Sequence, residues 1–120
     1  MNRAARVRIT VEQSEVLLVT ASVATTTWSR MRGLLGRTGL DVGDGLVFYS
    51  CRMIHTWFMR FPIDVLFVDR HGCVVQLWES VQPFRLAWGG WRAAVTVELA
   101  AGALRESGVT VGQRVCLKPI

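Results

Sequence analysis

The chain has 120 residues, of which 51% are hydrophobic and 19% charged, with only 3 prolines; that is enough apolar material for one packed domain and argues against a disordered or fibrous chain. Its formal net charge is +5, carried almost wholly by arginines scattered from Arg3 to Arg114, with Lys118 the only lysine. Such a spread disfavours a dedicated nucleic-acid surface, where cations gather along the phosphate path.

In chain order, Ala5, Val7, Ile9 and Val11 alternate with Arg6, Arg8, Thr10 and Glu12, the pattern of a strand with one face inward and one wet. Gln13-Ser14 turns the chain into a second strand over Val16 to Ala21. Arg3, Arg6 and Arg8 ahead of an apolar run that ends in Ala21-Ser22-Val23-Ala24 imitate an export signal. Glu12 and Glu15 directly before so short a run spoil the imitation, so an unprocessed, cytoplasmic chain is expected. No stretch approaches the roughly 20 apolar residues of a membrane span.

Thr25, Thr26 and Thr27 offer N-caps for a short helix carrying Trp28, Met31, Leu34 and Leu35, which Gly36 ends. Asp41 to Gly45 is a turn leading into the apolar run Leu46 to Tyr49. Residues 55–59, Ile63 to Asp69 and Cys73 to Trp78, separated by Arg60-Phe61-Pro62 and His71-Gly72, read as a three-stranded meander. Val81 to Trp91, with Pro83, Gly89 and Gly90, breaks both periodicities and reads as a long loop. Val95 to Leu99 is a strand, Ala100 to Glu106 a short helix closed by Gly108, and Val111 to Leu117 a last strand. The expected fold is mainly β, with some helix: one domain over residues 1–120, a compact twisted antiparallel sheet or barrel-like structure with two short helices.

Arg32-Gly33-Leu34-Leu35-Gly36-Arg37, Gly45-Leu46, the run from Ile54-His55-Thr56-Trp57 through Pro62-Ile63-Asp64 to Asp69, Val97-Glu98-Leu99-Ala100-Ala101-Gly102 and Val111-Gly112 together resemble the domain of unknown function 192 family. The resemblance covers about residues 21–117, and its central motif is specific. It implies a compact, mostly β domain with short helices in bacteria and archaea. It implies no activity, because the family is uncharacterised. Ala101 stands where the family often has proline, which suits a first helical turn without being required there.

Few side chains could carry chemistry. Asp64 lies on the same side of its strand as Leu66 and Val68. If both sheet faces are covered it is buried, and then needs either a cation such as Arg32 or Arg60, or N–H donors in the Phe61-Pro62 turn. His55, with Asp64 and Glu98, could supply acid and base to a small hydrolase- or lyase-like enzyme; the simpler reading is a structural hydrogen-bonding histidine. Cys51 with His55 has no third group to complete a nucleophilic constellation.

Cys51, His55, His71 and Cys73 have the composition of a zinc set, and pairing Met59 with Ile63 would bring Cys51 opposite His71. The spacing is not that of zinc motifs, so no metal and no cofactor is expected. An odd number of unevenly spaced cysteines, Cys51, Cys73 and Cys116, also argues against a disulfide framework and fits a reducing compartment.

Five tryptophans are many for this length. Trp78, Phe84, Trp88 and Trp91 surround the Gly/Pro loop together with Arg85 and Arg92, and they either pack under it or form a binding platform. Trp88, next to Gly89-Gly90, is expected exposed and Trp91, leading into a strand, buried. The leading expectation is a binding or interaction module for a protein, peptide or small ligand. Its pocket would lie between the 55–64 hairpin and the 84–91 loop and would use His55, Asp64, Arg32, Phe84, Arg85 and Trp88.

Overall fold

A computed structural model describes residues 5–24, 43–57 and 59–120. The alternation at the N-terminus becomes β1 (Arg6–Val11), with Val7, Ile9 and Val11 buried and Arg6 and Arg8 exposed. β1 pairs antiparallel on one side with β2 (Leu17–Val23) and on the other with β9 (Val115–Pro119). β3 (Asp44–Tyr49) lies parallel to β2 and antiparallel to β8 (Ala93–Ala100). β5 (Ile63–Asp69) sits between β8 and β6 (Val74–Val81).

The resulting seven-stranded sheet has the order β6-β5-β8-β3-β2-β1-β9. It is mixed, which corrects the expectation of an antiparallel sheet. A parallel pair needs a crossover that short turns cannot provide, and the chain between β2 and β3 includes residues 25–42, outside the described set. Nor is it a closed barrel. The edge strands β6 and β9 meet only at an isolated bridge between Cys73 and Arg114. There Val74 N–H donates to the Gln113 carbonyl at 2.8 Å, Val115 N–H to Gly72 at 2.8 Å and Gly112 N–H to Val74 at 2.9 Å.

Because side chains alternate along each strand, the sheet has two apolar faces. One gathers Ile9, Val19, Val47, Leu66, Val68, Val97 and Leu99, closed by Leu104 from the single described helix, α1 (Ala103–Ser107). The other gathers Phe48, Ile63, Val65 and Phe67 beneath a two-stranded ribbon of β4 (Met53–His55) and β7 (Leu86–Trp88), whose Ile54 and Ala87 point inward. β5 is therefore buried on both faces from Ile63 to Val68, Asp64 included.

The segment at 55–59 is not the first strand of a meander. β4 ends at His55 and pairs with β7, from the segment expected to be a loop, rather than with β5. Three-residue strands are too short for periodicity to announce. β6 runs on to Val81, and only 82–85 of the expected loop's first half is irregular. The last strand starts at Val115, because Gly112 turns the chain with φ 95°. Of the two expected helices, the one near Ala100 is found as α1, capped by Gly108. The other, near Trp28 to Leu35, lies outside the described residues, so among the described residues there is one helix.

Candidate functional site

Asp64 is wholly enclosed on the face of β5 that also carries Leu66 and Val68. Opposite it the β5–β6 register jumps: Ile63 faces Val81 and Val65 faces Trp78, so β6 bulges there. Ser80 sits in the bulge with φ 50°. Its N–H, lost to the ladder, donates to Asp64 Oδ1 at 2.8 Å, while Asp64 Oδ2 accepts from Gly102 at 3.0 Å and Leu104 at 2.9 Å. The carboxylate thus caps α1 from across the sheet, a task Gly102, with no side chain, cannot perform. These three partners are backbone N–H groups, neither Arg60 nor the Phe61-Pro62 turn. Arg32 lies outside the described residues.

Glu98 is buried on the opposite face, level with Val65 and Leu46. His55 stands exposed on the outer face of the ribbon, where its Nδ1 accepts the Trp57 N–H at 3.3 Å and its ring meets the Trp57 indole edge-on, centroids 5.1 Å apart. His55, Asp64 and Glu98 therefore occupy three different surfaces and do not converge.

The zinc set does not assemble either. Cys51 is buried beside β4, with its thiol donating to the Met53 carbonyl at 3.2 Å, while His71 and Cys73 lie in the β5–β6 turn. Among the described residues no three His, Cys, Asp or Glu side chains are placed to hold a metal ion. In that turn Asp69 Oδ1 accepts the N–H groups of His71 and Cys73 at 2.8 and 2.9 Å. Partial burial of Asp69 pushes its carboxyl up. The two N–H groups and the charges of His71 and Arg114 outweigh this and hold it below the usual aspartate value.

What the fold does bring together is the outer face of the ribbon. Met53 is opposite Trp88 and His55 opposite Leu86, and all four point away from the core that Ile54 and Ala87 enter. Met53 is 48% exposed, Leu86 52% and Trp88 39%. Trp91 is not the buried indole expected from its nearness to β8. At 78% exposure it is the barest large hydrophobic side chain of the described residues, because the turn at Trp91-Arg92 precedes β8 and holds the ring outside the ladder. It meets Trp88 edge-on, centroids 5.2 Å apart and planes at 82°, with the Arg52 guanidinium 5.9 Å over its ring. Arg52 is itself held by a bond from Nε to the Ala93 carbonyl at 3.2 Å.

Two further features fix this surface. A Cβ at Gly89 would come 2.3 Å from the Phe67 ring, so glycine lets β7 lie directly on the core, and Gly90 takes the left-handed turn at φ 94°. Thr56, fully buried, accepts the Arg85 N–H at 2.9 Å and donates to the Gln82 carbonyl at 2.6 Å, tying 82–85 to the end of β4. Phe84, 56% exposed with φ 61°, follows through its own N–H to the Thr56 carbonyl at 3.0 Å. Thr56, Arg52, Met53 and Leu86 escaped the sequence reading. A threonine between His55 and Trp57 was the available signal for the first; strands of three residues left none for Met53 and Leu86.

The fold has solved relatives. A Sinorhizobium meliloti 1021 protein, provisionally described as a transcription regulator, superposes with a TM-score of 0.80 at 24% identity, over 96% of this chain and 94% of that one. A protein of unknown function from Novosphingobium aromaticivorans DSM 12444 gives a TM-score of 0.76 at 18% identity, over 92% and 83%. No curated protein matches the chain. The family model that does match, described as an uncharacterized ACR, spans residues 7–117 and so takes in β1 as well as the motifs from Gly45 to Gly112. The chain belongs to the domain of unknown function 192 family.

Proposed function

We propose that the chain is a non-enzymatic, cytoplasmic binding module of one domain over residues 1–120, whose recognition surface is the outer face of the β4–β7 ribbon together with Trp91. The observation that carries this reading is the exposure of Met53, Leu86, Trp88 and Trp91 side by side on a surface whose other face is core. Contiguous exposed apolar side chains of this size mark interaction sites, and aromatic residues with Met and Arg are the composition of protein interfaces. The enzyme alternative draws no support from His55, Asp64 and Glu98, which lie on separate surfaces. The Sinorhizobium protein's description does not extend to this chain at 24% identity.

The test is selection from a displayed library of random dodecapeptides on the immobilised protein, with each selected clone then measured on Trp91→Ala. Clones that bind the parent and lose at least tenfold in affinity on a variant with unchanged melting support the reading. Clones indifferent to Trp91, or no selected clones, overturn it.

A further inference from the structure

We infer that the occupant of this surface is an acidic peptide segment of a partner protein, held in extended conformation along the ribbon; the inference rests on the binding-module reading. Residues 50–62 and 82–92, which hold both strands of the ribbon and the turns that flank them, contain Arg52, Arg60, Arg85 and Arg92 and not one Asp or Glu. Those four arginines are exposed. In a chain with 9 acidic residues, their exclusion from both segments leaves arginine as the only ionic side chain that the ribbon and its turns contribute, and a complementary partner is anionic.

The rungs set the shape of that partner. Met53/Trp88 and His55/Leu86 are successive same-face pairs, about 7 Å apart along the strands. This is the repeat of alternate side chains in an extended peptide, so every second residue of the occupant faces the ribbon, where it meets a rung or one of the flanking arginines. Arg52 is placed for this role in advance by its bond to Ala93 and its position over Trp91; a carboxylate approaching the indole meets an ordered guanidinium.

The indoles argue against a nucleic-acid strand. Successive bases need open, roughly parallel ring faces, whereas Trp88 and Trp91 stand at 82° to one another and Arg52 covers one face of Trp91.

The experiment uses the clones that require Trp91. Their sequences are expected to be enriched in Asp and Glu at least twofold over the library. Their affinity should fall several-fold between 50 and 500 mM NaCl, and Arg52→Gln and Arg85→Gln should each weaken them by about two- to five-fold. In parallel, a twelve-residue thymidine oligonucleotide and phosphatidylserine vesicles are titrated against parent and Trp91→Ala, and neither is expected to bind as tightly as the peptides. Trp91-dependent clones with no acidic enrichment and no salt dependence would overturn the charge assignment and leave the binding module standing. Trp91-dependent binding of the oligonucleotide or the vesicles that exceeds peptide binding would overturn the peptide assignment.

Discussion

Replacing Asp64 tests how the sheet and α1 are joined. In Asp64→Ala three N–H groups lose their acceptor. Ser80 and Gly102 are exposed residues whose N–H groups can turn to water, and each lost bond there costs about 0.5–1.5 kcal/mol. The Leu104 N–H is buried, and a donor left dry costs about 1–3 kcal/mol. The expected loss is about 2–6 kcal/mol, a large share of the roughly 5–15 kcal/mol that holds a typical domain. Asp64→Asn is informative because an amide has one acceptor oxygen. Placed at the Oδ2 position it keeps Gly102 and Leu104 but sets an NH2 group against the Ser80 N–H, donor to donor, so about 2–3 kcal/mol should be lost. Urea unfolding followed by tryptophan fluorescence, with unchanged m, gives the order parent, Asn, Ala. An alanine variant less than about 1 kcal/mol below the parent, or an asparagine variant weaker than alanine, would refute the capping role.

Gly89→Ala forces a methyl against Phe67 and should destabilise by about 1–3 kcal/mol in thermal melts, whereas Trp91→Ala should change stability by less than about 0.5 kcal/mol. Thr56→Val leaves the Gln82 carbonyl and the Arg85 N–H without their buried partner and should cost about 1–3 kcal/mol, with faster amide exchange across 82–86. Since the folded Asp69 carboxyl titrates below its ordinary value of 3.8, its stabilising effect is complete above that value and fades as pH falls through the folded value. The stability gap between parent and Asp69→Asn, measured by urea titration, should therefore narrow from pH 6 down to pH 2.

How much of this was legible in the sequence depended on the reach of each signal. β1 and β5 declared themselves because six or seven residues suffice to show alternation, and the burial of Asp64 followed from its place beside Leu66 and Val68. The identity of its partners did not follow. Ser80 and Leu104 are 16 and 40 residues away, and backbone N–H groups carry no residue signature. The ribbon stayed hidden because β4 and β7 have three residues each and join across more than 30 residues of chain. The parallel pairing of β2 with β3 was hidden because strand direction leaves no trace in composition. For the proposed surface, tryptophan content drew attention to the segment that holds Trp88 and Trp91, both exposed in the fold, and Gly89-Gly90 to a break in the strand pattern. That Trp91 also faces solvent was decided by where β8 begins, a boundary two residues past it.

The pairing of β1 with β9 bears on how the chain reaches this state during synthesis. β1 lies between β2 and β9, so a chain growing from its N-terminus makes the β1–β2 hairpin first and waits about a hundred residues for the strand that completes it. Until Val115 and Leu117 leave the ribosome, the row of Val7, Ile9 and Val11 has one open flank. Pairings between distant parts of a chain form slowly, and unsatisfied strand edges attract neighbours in the meantime. Arg6 and Arg8 project from the opposite side of β1, and charged side chains of this kind discourage edge-to-edge pairing. β9, far along the chain, is thus the strand whose pairing completes the cover of β1.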